Sequence, residues 1–266
     1  MVKATLLKKA SRVGAFFVSI CLVSPAQAFC PLVGDLAPQR VARVVDGDTL
    51  RLTDGRSVRL IGINAPERAR DGRPAEPFAE AARKRLQALV AAGEGRIGLR
   101  LGRQPRDHYG RTLAHVYDRQ GQNLEAQLLA EGLGYRVAFE PATGLERCQR
   151  EAERAAREER IGLWQQARVV GPFDLRRGGF ALVGGRVEKV QRNRGGLWIE
   201  MDGPLVLRVE PKLLRHFDAA ALQRLAGQTI EARGWVIDRS RRGGVKPGQA
   251  RWMLSLTHEA MLEVMP

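Results

Sequence analysis

The order strand, strand, strand, helix, strand, strand can be read twice along this chain, and that order leaves few folds open. The first pass begins with an apolar, β-branched run at 39–45. Leu50 and Leu52 then alternate with polar neighbours, Asp54-Gly55 supplies a hairpin turn, and Val58, Leu60 and Ile61 follow. Over 77–92 the period changes, and Phe78, Ala82, Leu86, Leu89 and Val90 fall on one helical face. Ile97, Leu99 and Leu101 predict a fourth strand and Thr112–Tyr117 a fifth. Asn123 is placed to cap a second helix that stops at Gly132 or Gly134. A third helix is expected over about 144–164, with Leu145, Cys148, Ala152 and Ala156 on its buried side. The fold class is mainly β with packed helices (α+β), and a five-stranded OB-type barrel with three helices fits the order.

Gly171-Pro172 and Arg176-Arg177-Gly178-Gly179 interrupt the pattern, so 167–179 reads as a linker. Beyond it, strands are expected at 181–190, 197–201 and 205–209, a helix at 211–225, and strands at 229–237 and 252–256. That repeats the first order and predicts a second, smaller OB-like barrel over 180–266, after a first domain over 29–166.

The N-terminus reads as an export signal over 1–28. Lys3, Lys8, Lys9 and Arg12 precede an apolar run at 13–23 that is too short to span a bilayer, and Ala26-Gln27-Ala28 is a small-residue cleavage site. Export to the periplasm or the extracellular medium follows, with no stable membrane association after cleavage. Of the three cysteines, Cys21 leaves with the leader. Cys30 and Cys148 remain as an even pair, which in an exported protein predicts a disulfide; two free thiols is the alternative. The formal net charge is +15, and the leader holds four basic residues and no acidic one, leaving +11. Such a field favours polyanionic partners, nucleic acid first and anionic envelope polymer second. No zinc spacing exists among His108, His115, His216 and His258.

Four short segments carry chemistry: Asp46-Gly47-Asp48-Thr49, the strand around Arg59, Asn64-Ala65-Pro66-Glu67, and Asp107-His108-Tyr109-Gly110-Arg111. They bring carboxylates, an amide oxygen and two arginines, a set suited to a hard metal ion beside a phosphodiester. Each segment also has a plain structural reading. Asp46-Gly47-Asp48 is a common tight turn, Arg59 can be a surface residue of an alternating strand, and Glu67 after Pro66 suits a helix N-terminus.

Taken in order, and closed by Ile161-Gly162-Leu163-Trp164, these segments over about 38–166 resemble the staphylococcal-type (thermonuclease-like) nuclease family. The resemblance implies a metal-dependent phosphodiester hydrolase acting on DNA or RNA and leaving a 3′-phosphate. It implies one calcium ion held by Asp48, Asn64 and the Ala65 carbonyl, with Asp46 acting through water. It places Arg59 and Arg111 on the phosphate and makes Glu67 the group that activates or positions water. Tyr109 can donate its hydroxyl to a phosphate oxygen. The family usually carries a second aspartate where this chain has Asn64, which lowers ligand charge and implies weak calcium binding. The alternative is a non-catalytic nucleic-acid or polyanion-binding protein on the same fold. In the second barrel, the loops after its first and fourth strands carry Arg192 and Arg194, then Arg239, Arg241, Arg242 and Lys246, all candidate phosphate contacts. Trp198, Trp235 and Trp252 are candidates for stacking on bases.

Overall fold

A computed structural model of the chain describes residues 29–70, 72–138, 144–241, 244–246 and 248–266. The leader expected over 1–28 and Arg242 lie outside these residues. Among the described residues no helix is long and apolar enough to cross a membrane.

The first barrel is built from β1 (Pro38–Val44), β2 (Thr49–Leu52) and β3 (Ser57–Leu60). A short strand β4 (Ile63–Asn64) and helix α1 (Ala79–Ala92) follow, then β5 (Arg96–Arg106) and β6 (Thr112–Tyr117). The strands close in the order β1-β2-β3-β6-β5. β3 and β6 pair parallel, which the long crossover through α1 and β5 allows. Leu50, Val58, Leu60, Ile63 and Leu86 are fully buried in its core. Truncating any of these to alanine costs roughly 2–5 kcal/mol. β6 is buried at every position, because one face meets this core and the other lies beneath α2 (Leu124–Ala130). Asn123 caps α2 as expected, its side chain accepting the Ala126 N–H at 2.9 Å. The short strand β7 (Tyr135–Arg136) then pairs with β4, a link that the sequence pattern does not show.

Helix α3 (Glu146–Glu158) is shorter than expected. Arg160 and Gly162 both take left-handed backbone conformations, which end it. A Cβ on Gly162 would lie 2.3 Å from the Gly132 carbonyl, so the chain passes too close there for any other residue. Of the expected apolar stripe, Leu145 and Ala156 are buried and Cys148 and Ala152 half-buried against the core, but the polar Gln149 and Glu153 are buried on this helix as well. The disulfide joins Cys30 to Cys148 on this helix.

The 167–179 stretch is more than a connector. It contributes β8 (Val169–Val170), which pairs parallel with β9 (Gly179–Asn193). The second barrel continues with β10 (Gly196–Met201) and β11 (Leu205–Val209). The expected helix at 211–225 is split into a 3-10 turn over Pro211–His216 and a short α4 (Ala219–Gln223) capped by Asp218. Then come β12 (Thr229–Asp238), β13 (Trp252–Leu256) and an edge strand β14 (Leu262–Val264). β9, β10, β11, β13 and β12 form a ring closed by the β12–β9 pairing, with β11 and β13 parallel. It is the same connectivity as the first barrel.

Trp252 is 2 % exposed in the core of this second barrel, so it cannot stack on a base; its strand turns it inward. Trp198 lies under Arg208, whose guanidinium carbon is 5.1 Å from the ring, and donates its indole N–H to Asn193. Trp235 is 39 % exposed.

The barrels meet through buried charge. Arg233 donates to Glu153, Arg157 makes two bonds to Glu231, and Arg136 donates to the Ala260 carbonyl and lies 3.3 Å from Glu263. Arg136, Glu153, Glu231 and Arg233 are each 3 % exposed or less. Glu153 and Arg157 of α3 are therefore the helix's docking contacts for the second barrel. Removing one member of such a network leaves the others as uncompensated buried charges.

Candidate active site

Asp46 and Asp48 sit on the turn between β1 and β2. The Asp46 carboxylate accepts the Asp48 backbone N–H at 3.1 Å, which fixes the turn. Gly47 is required between them: a Cβ there would fall 2.6 Å from the Cβ atoms of both Ala65 and Ala82. The acidic turn is thus pressed onto α1 and onto the segment that carries Asn64 and Glu67.

Asp48 is 7 % exposed, as is Arg59 on β3. The Asp48 Oδ2 accepts the Ala65 N–H at 2.8 Å and faces Arg59 Nη1 at 2.9 Å, while its Oδ1 accepts the Thr49 hydroxyl. Burial pushes the Asp48 carboxyl up to about 7; Arg59 opposes this and nearby Asp46 adds to it. Arg59 makes further bonds to the carbonyls of Leu60 and Ile63, all through Nη1. Its other guanidinium nitrogens have no hydrogen bond among the described residues.

Glu67 is exposed, and its carboxyl is also raised, first by desolvation and then by Asp46 and Glu76, against Arg59 and Arg111. The four segments therefore share one electrostatic neighbourhood. On the β5–β6 loop, Asp107 accepts the backbone N–H groups of Tyr109 and Arg111 and the Arg111 Nε at 2.7 Å. Burial alone would raise Asp107, but these bonds more than offset it and hold the carboxyl below its ordinary value. Asp107 is the positioning residue that reading for ligands alone passes over; the signal was its place two and four residues before the groups it holds. Tyr109 is 74 % exposed, with the Arg111 guanidinium carbon 5.5 Å from its ring centroid.

The donor set here is oxygen only. Among the described residues no three His, Cys, Asp or Glu side chains are grouped as a metal cage. Asp48 Oδ2 is saturated by two donors, whereas its Oδ1 keeps a lone pair. The Asn64 side chain has no hydrogen bond among the described residues. Two carboxylates on one turn, beside the neutral oxygens of Asn64 and Ala65, fit a hard, weakly held cation.

Of the second-barrel candidates, Arg192 and Arg194 lie at the tip of the β9–β10 hairpin. Arg239, Arg241 and Lys246 lie in the β12–β13 loop, at the opposite end of the strands. Arg239 is folded back onto Gln249 and the Ala250 carbonyl, and Arg241 lies 3.8 Å from Asp238.

A closed OB-type barrel thus carries two arginines and an acidic turn in one electrostatic neighbourhood. The chain belongs to the staphylococcal nuclease homologue family, whose model matches residues 57–166. Asp46 and Asp48 precede that match. The thermonuclease of Staphylococcus intermedius is 31 % identical over 129 residues, covering 47 % of this chain and 75 % of that protein. The SPbeta prophage-derived endonuclease YokF of Bacillus subtilis is 35 % identical over 137 residues, covering 50 % of this chain and 45 % of that protein. Endonuclease YncB of Bacillus subtilis is 34 % identical over 133 residues, covering 48 % of this chain and 62 % of that protein. The chain thus spans only about half the length of some of these relatives.

Proposed function

We propose that this protein is an exported, divalent-cation-dependent nuclease that hydrolyses phosphodiester bonds of DNA or RNA. The observation that carries the reading is the shared neighbourhood of Asp46, Asp48, Arg59, Glu67 and Arg111. The free edge of Arg59 and the Arg111 guanidinium grip the non-bridging phosphate oxygens and stabilise the charge that grows on them during attack. Glu67, with its raised carboxyl, accepts a proton from the water that attacks phosphorus. Asp107 holds Arg111 in place. Asp46, Asp48, Asn64 and the Ala65 carbonyl would hold the cation, calcium by its oxygen preference. When bound, it neutralises phosphoryl charge. Tyr109 contributes a hydroxyl at the site's rim, and Arg192, Arg194 and Lys246 add phosphate contacts on the second barrel, whereas Arg239 and Arg241 are engaged within their own loop.

Export draws support from the leader-like sequence and from the Cys30–Cys148 bridge, which suits an oxidising compartment. A mature mass beginning at Phe29 is expected. A second reading, a non-catalytic polyanion binder, draws on Asn64 and on the engagement of Asp48 by Arg59. Cleavage of single-stranded DNA with millimolar calcium, abolished by chelator, is the expected result. An inactive wild-type protein across calcium, magnesium and manganese would leave the binder reading.

A further inference from the structure

A cleft of about 980 Å³ opens between the two barrels, and residues of both line it. Asn64 and Glu67 of the proposed active site are among them, and so are Phe180 and Trp235 of the second barrel. A line of aromatic rings crosses the junction here. Tyr135, which pairs with Asn64 across β4 and β7, lies 5.1 Å from Phe180, and Phe180 lies 5.2 Å from Trp235. Trp164 supports Tyr135 from the other side, edge-on at 5.3 Å. The lining also carries six arginines against three acidic residues. Arg73 and Arg177 are exposed, and neither has an ion-pair partner among the described residues.

We propose that this cleft holds the single-stranded continuation of the polynucleotide whose scissile phosphate sits at Arg59 and Arg111. The proposal rests on the nuclease reading and adds the substrate path. Excess positive charge selects a polyanion, and exposed Trp235, continued by the half-buried rings of Phe180 and Tyr135, selects one that carries flat bases. A base can meet those rings only when it is free of a pairing partner, so the strand is single. The track from Tyr135 to Trp235 spans about two or three bases at roughly 3.4 Å each. Phosphates on that stretch face Arg73 and Arg177. The second barrel is then a wall of the substrate channel, not a separate binding module, and the buried ion network at α3 fixes the channel's width.

The test measures the affinity of a labelled single-stranded oligonucleotide by fluorescence anisotropy in chelator, and separately the cleavage of a dinucleotide with calcium. Trp235→Ala should weaken oligonucleotide binding about tenfold, with Trp235→Phe restoring most of it. Neither should change kcat/KM for the dinucleotide, which is too short to reach Trp235. The Arg73→Ala, Arg177→Ala double variant should lower the salt slope of binding by about one to two. Circular dichroism confirms that each variant folds. Unchanged oligonucleotide affinity in folded Trp235→Ala overturns the proposal, as does equal loss on the dinucleotide. So does polyglutamate competing as well as the oligonucleotide. A wild-type protein that binds through Trp235 but cleaves nothing would sink the nuclease reading and leave the cleft standing.

Discussion

The two barrels share one connectivity and differ in how their acids are satisfied. In the first, Asp46 and Asp48 face each other on the β1–β2 turn, and Asp48 stays raised to about 7 even with Arg59 against it. In the second, Asp238 at the end of β12 is bonded by Arg251 and Ser240 and held far below the usual carboxylate range. At Asp48 burial outweighs the one arginine, whereas at Asp238 the bonds from Arg251 and Ser240 outweigh burial. The same scaffold therefore carries a buried acid with a raised carboxyl in one copy and a self-neutralised loop in the other. The loop that begins at Asp238 is the counterpart of the β5–β6 loop, where Asp107 is likewise held below its ordinary value by its own arginine, Arg111.

The sharpest way to break the comparison is to separate the barrels. Glu153→Ala strips the carboxylate that Arg233 and the Arg136 backbone share, and should cost about 3–5 kcal/mol in urea unfolding. A single unchanged transition would mean that the network does not couple the units. Next, Arg59→Ala and Arg111→Ala should each raise the barrier by about 2.7–4 kcal/mol, seen as lost kcat. Arg241→Ala, on the solvent-exposed loop of the other barrel, should leave kcat unchanged.

A smaller effect concerns pH. Asp48 binds its proton more tightly when folded than its ordinary value of 3.8 allows. Metal-free stability should therefore fall as pH rises, by about 2 kcal/mol between roughly pH 5 and pH 7. Asp48→Asn should flatten that dependence in chelator, and an equally steep slope would refute the shift. The smallest effect is expected from Asn64→Asp, which restores a ligand charge and should tighten calcium binding by on the order of tenfold. Calorimetric titration showing no tightening would remove Asn64 from the ligand set.

Both barrels were legible because strand periodicity and turn residues are local. Thr112–Tyr117 and Trp252–Leu256 fall where alternation and β-branching put them. The motif residues were legible as residue types in order. The polar face of α3 was not, because Gln149 is buried against Asn123 and Glu153 against Arg136 and, eighty residues further along the chain, Arg233. The β4–β7 pair was equally hidden: two residues carry no period, and their pairing is set by tertiary context. The same holds for the cleft, whose walls come from separate barrels. Trp252 and Trp235 show the limit most directly, since only strand register distinguishes a core tryptophan from a surface one.

The Cys30–Cys148 bridge encloses all five strands of the first barrel and none of the second. The ribosome delivers the chain from its N-terminus. Every residue needed to close the catalytic barrel and seal it covalently thus emerges before the second barrel has been made. Nothing after Cys148 carries a thiol, so late synthesis cannot reshuffle the bond. A first barrel locked in this way presents Arg136 and Glu153 as a template on which the second barrel docks.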